Sequence, residues 1–183
     1  MRVHQERTEA LLAALATRDV DFIIGRLYEP PQPDGFVRKA FYDEGISILA
    51  RADHPIFAIP TIGLKDISAY PIVLPTVSQR VGREIDEFLR QLGFIPHQPL
   101  RSSSVSLIRE TLHATDSITV MPKVMLVGDL MRGSVRVLPI EAKCAPRPAG
   151  LIQRSDAPLL KNASTFIDTF RRYTQDVQAT LDR

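Results

Sequence analysis

Asp19-Val-Asp-Phe-Ile-Ile-Gly25, Ile48-Leu-Ala-Arg-Ala-Asp-His-Pro55, Tyr70-Pro-Ile-Val-Leu-Pro-Thr76, Ser117-Ile-Thr-Val-Met-Pro122 and Gly133-Ser-Val-Arg-Val-Leu-Pro-Ile140 follow one another along the chain. Each holds a short apolar run, and most of the runs stop at Gly or Pro. A short apolar run with such a stop reads as a strand buried on both faces, the pattern of parallel sheets. Helical patterns separate the runs, so the chain alternates strand and helix and the fold class is α/β. Ligands of open α/β sheets bind beyond the carboxyl ends of the strands, where several of these stops fall.

The segments between the runs carry their own signals. Thr8 is placed to cap a helix to about Thr17, with Leu11, Leu12 and Leu15 inward. Val20 to Ile24 reads as a strand, 29 to 35 as a proline-rich loop, and Phe41 to Ala52 as one long extended stretch that ends in the turn Asp53-His54-Pro55. A short helix is expected over 64 to 69 and a strand over Ile72 to Leu74. Thr76-Val-Ser-Gln79 has capping-box spacing, with Thr76 as N-cap. The helix it opens carries Val81, Ile85, Phe88, Leu89 and Leu92 on one face and stops at Gly93.

Beyond it the reading continues with a strand end at Leu100 to Ser102, a helix from Ser104 to about His113, and a strand over Ile118 to Val120. Pro122 suits the first position of a helix that ends at Arg132-Gly133. Strands are expected over Val135 to Leu138 and Gly150 to Gln153. A last helix starts near Asp156-Ala-Pro158, with Leu159, Ala163, Phe166, Phe170, Tyr173 and Val177 at helical period.

Composition bounds the function. The 183 residues suffice for one large domain or two small lobes, and 44% hydrophobic with 24% charged residues is ordinary globular usage. The net charge of +2 rests on scattered Lys and Arg, which is no electrostatic footprint for DNA. One cysteine, Cys144, excludes an internal disulfide and any Cys-cluster metal site, and reads as a small hydrophobe. His4, His54, His97 and His113 lack metal-ligand spacing, and no cofactor is expected. No run is long enough to cross a membrane. Ala10 to Ala16 imitates the apolar core of a signal peptide, but Glu6 and Glu9 stand where a basic leader belongs. An amphipathic helix and a cytoplasmic location are therefore expected. No G-x-S-x-G, H-E-x-x-H, P-loop or G-x-G-x-x-G is present, and catalysis is not expected.

The five segments, in this order and spacing, resemble the effector-binding domain of LysR-type bacterial transcription regulators over roughly residues 3 to 170. Family members show G-x-x-D-x-x-I/V-G, then L-V-x-x-x-H-P, then Y-P-x-I, then I-x-x-x-P, and each has a counterpart here. The resemblance implies a two-lobe fold of the periplasmic-binding-protein type II plan, with a ligand in the cleft between lobes that can hinge. Residues 1–52 and 141–183 would form lobe one and residues 53–140 lobe two, with crossovers near 45 to 55 and 138 to 149. Met1 enters at what looks like the family's second strand. The chain is accordingly expected to lack the first strand and helix of lobe one, together with the DNA-binding helix-turn-helix. The exposed edge implies self-association as a homodimer or higher oligomer, and this chain alone is expected not to bind DNA specifically.

Candidate binding residues fall at strand ends. Arg26 offers a planar fork for a carboxylate, or is a surface arginine of a loop. The resemblance favours the first: members that sense muconate-like acids place an Arg after this Gly and a Thr about eighteen residues earlier, here Arg26 and Thr8. Thr8 is equally a helix cap. Thr76, Val77 and Ser78 open a helix whose free N–H groups suit an anion, or serve as caps only. The same two readings cover Ser102 and Ser104, while Met121 and Pro122 match the family's cleft edge or are packing. Arg80 and Arg83 read as a solvated face. The ligand is expected to be a small organic acid. The Gly25-Arg26-Leu27 wording also resembles the branch with regulators of protocatechuate catabolism and of sugar uptake, which keeps a neutral sugar as the runner-up. A transporter's solute-binding protein and an enzyme on the same scaffold are the other classes. They would need a signal peptide and a catalytic constellation respectively.

Overall fold

A computed structural model describes residues 1–28, 34–78, 80–140 and 147–181. Gln79 and Cys144, and the readings made on them, lie outside the described residues. The chain divides into two compact units, Met1–Glu44 with Pro146–Arg183, and Gly45–Ala145. The sequence reading drew its boundaries at 52/53 and 140/141; the compact units pass from one to the other at Glu44–Gly45 and Ala145–Pro146.

The first unit holds α1 (Thr8–Ala16), β1 (Ile23–Arg26), β2 (Phe36–Asp43), β8 (Pro148–Arg154) and α6 (Lys161–Leu181). Its sheet has the order β1-β8-β2, and both pairings are antiparallel. Leu15, Ile23 and Ile152 form a small core, covered by Leu11, Leu12, Val20, Leu27 and Phe36. Helix α6 lies on β2 and buries Ile167, Thr174 and Val177. Phe166 meets Phe22 with ring centroids 6.0 Å apart. Gly150, in the middle strand, faces β2 so closely that a Cβ there would stand 2.1 Å from the Lys39 carbonyl. At this same place β2 bulges between Ala40 and Tyr42.

The second unit holds β3 (Ile46–Arg51), α2 (Leu64–Ile67), β4 (Ile72–Pro75), α3 (Arg80–Gln91), β5 (Leu100–Ser102), α4 (Val105–Ala114), β6 (Ile118–Pro122), α5 (Val127–Arg132) and β7 (Val135–Val137). The five strands lie in the order β5-β4-β6-β3-β7. β4 and β6 are buried throughout, which explains their uninterrupted apolar runs. The core joins Ile48, Leu49, Ile56, Leu74, Ile85, Leu89, Ile108, Leu112, Ile118 and Met121 with further apolar neighbours. Gly93 ends α3 at φ +72°, the left-handed conformation that a glycine adopts without strain.

Several expectations need correction. Among the described residues the parallel pairs are β4 with β5 and β4 with β6; the other strand pairs, including β3 with β6, are antiparallel. The first apolar run forms its strand at Ile23–Arg26 rather than Val20 to Ile24. The extended stretch at 41 to 52 is two strands in two sheets, parted at Glu44-Gly45. Arg7, not Thr8, is the N-cap of α1. α3 begins at Arg80, so Thr76 does not cap it. Gly82 presses on the Thr76 backbone, where a Cβ would stand 2.2 Å from its carbonyl oxygen, and Val77-Ser78 turns before the helix starts. Pro122 closes β6 opposite Ile46 and precedes a 3-10 turn instead of entering it. α6 starts at Lys161, and Thr174, not Tyr173, faces inward; Tyr173 is 55% exposed.

Candidate functional site

The strand ends of the first unit gather charge. Antiparallel register sets Arg26 and Tyr42 on either side of Ala149, and Asp43 opposite Pro148. The end of β1, the end of β2 and the start of β8 therefore meet at one edge, where the chain leaves for the second unit and returns. Arg26 Nη1 donates to the Pro148 carbonyl at 3.0 Å, and the guanidinium lies 5.3 Å from the Tyr28 ring centre. Its Nε is buried with no hydrogen-bond partner among the described residues, a donor held without an acceptor in a half-buried site.

Arg147 is buried to 3% exposure in the same cluster. Its backbone N–H donates to Asp43 Oδ1 (2.9 Å), its Nε to the Glu44 carbonyl (2.9 Å), and its Nη2 lies 4.0 Å from Glu44 Oε2. The Glu44 N–H in turn donates to the Arg147 carbonyl at 2.8 Å. Burial holds Arg147 below the usual arginine range, and the Arg26 charge adds to this. Burial pushes the Glu44 carboxyl up, against the opposing pull of Arg147, Arg26 and the Tyr42 hydroxyl. Burial, with the Glu44 charge behind it, also pushes the Tyr42 phenol up. The arrangement can take a carboxylate: it offers guanidinium donors in a partly dry setting, one of them unused.

Sequence reasoning named Arg26 and did not name Tyr42, Glu44 or Arg147, which lie in the same cluster. The available signal was polar: Tyr42-Asp-Glu44 interrupts an otherwise extended apolar stretch, and Arg147 is enclosed by two prolines. Thr8 starts α1, which packs on β1 and β8, and no side-chain hydrogen bond joins it to Arg26 among the described residues.

In the second unit the predicted residues collect where β4 and β5 end. The Thr76 N–H donates to the Ser102 carbonyl at 3.0 Å, and the Ser78 hydroxyl to Thr76 Oγ1 at 3.4 Å. Ser102 Oγ accepts from the Ser104 N–H (3.0 Å), and Ser104 Oγ caps α4 by accepting from the Leu107 N–H (3.2 Å). Val77 is 43% exposed beside them. Arg83 donates to the Val77 carbonyl (3.2 Å) and Arg101 to that of Pro75 (3.1 Å), so Arg83 braces this turn rather than only facing solvent. Met121 and Pro122 are buried at the end of β6 as packing. His113 lies on α4 as expected and meets the buried Asp129 at 3.1 Å, with Arg132 on the same carboxylate. Among the described residues no group of His, Cys, Asp and Glu could hold a metal ion, and no helix is long and apolar enough to cross a membrane.

Comparison with known proteins accords with this layout. The regulator PcaQ of Agrobacterium fabrum is 31% identical over 149 residues, covering 80% of this chain and 47% of that protein. The chain spans about half the length of the curated relatives it matches. Among solved structures, the reduced OxyR regulatory domain from Pseudomonas aeruginosa superposes with a TM-score of 0.65 at 24% identity, covering 91% of this chain and 80% of that one. The effector binding domain of QuiR in complex with shikimate gives 0.65 at 17% identity, covering 94% and 80%. These likenesses show a common fold, and the named relatives are regulators rather than enzymes. The profile of the LysR substrate binding domain matches residues 1–175, and the chain belongs to that family.

Proposed function

We propose that this domain senses a small organic acid on behalf of a LysR-type transcription regulator in the cytoplasm, and that it does so as a homodimer or higher oligomer. The observation that carries the reading is Arg26: a half-buried guanidinium at a strand end, with a buried Nε that no acceptor among the described residues satisfies. Arg26 takes the carboxylate. In the second unit the Thr76–Ser78 turn with Ser102 and Ser104 presents hydroxyls and backbone N–H groups as a further candidate surface, with Met121 and Pro122 as candidates at the end of β6; in the first unit Thr8 is a lesser contributor. The solved shikimate complex of a relative supports a ligand that carries both a carboxylate and hydroxyls. Contact with DNA belongs to a helix-turn-helix outside residues 1–183.

The hydroxyl cluster of the second unit favours a second reading, a neutral sugar. Thermal-shift titration with protocatechuate, cis,cis-muconate and galactose separates the two. Acids are expected to stabilise the protein, and Arg26→Ala to weaken them by about 1.5–3 kcal/mol, the scale of a charge-assisted bond. Stabilisation by galactose alone overturns the acid reading, and so does an Arg26→Ala protein that binds acids unchanged. A transporter's solute-binding protein remains the alternative class; promoter binding by the longer protein that responds to the acid distinguishes the regulator from it.

A further inference from the structure

Arg26 is held at one point, and that point belongs to the start of β8. The Pro148 carbonyl accepts from Arg26 Nη1 at 3.0 Å and from the Leu27 N–H at 2.8 Å, so both of its lone pairs are in use. The place of the guanidinium, and of its buried Nε, therefore follows from the place of Pro148. Pro148 stands opposite Asp43 on β2 but has no N–H to give to the ladder. Arg147 supplies the missing hold from the preceding position. Its N–H donates to Asp43 Oδ1 and its Nε to the Glu44 carbonyl, both at 2.9 Å, and its own carbonyl accepts from the Glu44 N–H at 2.8 Å. All of these contacts lie within the first unit. A guanidinium buried to 3% exposure keeps one geometry through its directed donors, which a lysine ammonium does not reproduce.

On the reading of Arg26 as the carboxylate-binding residue, we propose that Arg147 is its positioning residue: by tying the start of β8 to the end of β2 it fixes the Pro148 carbonyl, and through it presents the Arg26 guanidinium to the acid already oriented. Arg147 itself does not touch the ligand. A donor set in place beforehand binds without first losing its own rotamer freedom, which is how the hold contributes to affinity. Asp43 belongs to the same hold, because its carboxylate receives the Arg147 N–H from an exposed position at the end of β2.

The test applies two readouts to the unaltered protein, Arg147→Lys and Asp43→Ala. The first needs no ligand and is NMR relaxation of the Arg26 Nε–H group. That group should be as ordered as the β1 backbone in the unaltered protein and mobile in both variants, while the Ile23 and Ile24 amides keep their order. The second is calorimetric titration of protocatechuate and cis,cis-muconate. Both acids should bind about fivefold more weakly to Arg147→Lys and about threefold more weakly to Asp43→Ala, the scale of one hydrogen bond. A role through charge alone predicts otherwise: lysine would restore binding, and loss of the Asp43 carboxylate would strengthen it. Asp43→Ala, at an exposed position, stands in if Arg147→Lys does not fold. An Arg26 Nε that stays ordered in the variants, undiminished acid binding by Arg147→Lys, or tighter binding by Asp43→Ala overturns the role of Arg147; the acid reading stays intact, since the unaltered protein still binds. Failure of both acids to bind the unaltered protein, with the Arg26 Nε loosened in the variants, overturns the acid reading and sustains the hold of Arg147 on Arg26.

Discussion

Two glycines face each other across the first unit's sheet, and the structure assigns them opposite responses to the same substitution. Gly25 on β1 pairs with Gly150 on β8, which pairs on its other side with Ala40. A Cβ at Gly25 meets nothing within 4 Å, whereas a Cβ at Gly150 would lie 2.1 Å from the Lys39 carbonyl, 2.9 Å from the Phe41 nitrogen and 3.1 Å from the Ala40 Cα. Ordinary contact begins at 3.4 Å, so Gly150→Ala forces β2 outward by roughly an ångström. Overpacking of this kind costs about 1–3 kcal/mol, and two weakened ladder bonds add about 1 kcal/mol each. The expected loss is about 3–5 kcal/mol, or roughly 1.5–2.5 M in the urea midpoint at a slope of about 2 kcal/mol per M. Gly25→Ala, without a clash, should gain about 0.5 kcal/mol by restricting the unfolded chain. Urea unfolding by circular dichroism, with hydrogen exchange to report the two units separately, reads both. Equal stability for the two variants, or a loss in Gly150→Ala that spares exchange in β2 and β8, would refute the reasoning from close backbone approach.

Thr119 is fully buried in β6 and its hydroxyl donates to the Val73 carbonyl at 2.7 Å. Thr119→Val keeps the shape and loses the bond, so a cost of about 1–2 kcal/mol is expected, seen as a lower melting temperature; an unchanged melting curve would contradict it. Glu44 bears on the pH dependence of stability. Its carboxyl is pushed up chiefly by burial, so the folded state prefers the neutral acid. That contribution is fully present below the ordinary glutamate value of about 4.3 and is lost as pH rises through the raised folded value. The stability of the unaltered protein relative to Glu44→Gln should therefore increase as pH is lowered from 7 towards 5; a difference that shrinks over this range would show that Arg147 and Arg26 outweigh burial.

How much of this was legible without coordinates differs from one element to the next. The runs Ile72-Val-Leu74 and Ile118-Thr-Val120 became buried strands because a strand covered on both faces needs an apolar run, which is a local property. Gly93 ended its helix for an equally local reason, the left-handed backbone that glycine tolerates. Arg26 was legible as a strand-end residue, although its unsatisfied Nε was not. Thr8 and Thr76 have cap-like spacing, but Thr8 is the first residue of its helix, with Arg7 as the cap, and Thr76 lies ahead of α3, where Gly82 packs against its carbonyl and the helix starts later. The break at Glu44-Gly45 sits inside a stretch that reads as uniformly extended. The polar Asp43-Glu44 before Gly45 marks an interruption in its apolar pattern, but nothing local says that the two halves join different sheets.

The sequence by itself determined the alternation of strand and helix, the family and the carboxylate-binding candidate, since all three rest on residue type and short-range spacing. Only the tertiary structure decided the antiparallel pairing of β1, β2 and β8, and with it the meeting of Glu44 and Arg147, which stand 103 positions apart. The physical reason is that strand partners are chosen by long-range hydrogen bonding and burial, so a charge cluster built from three strand ends has no signature in any one of them.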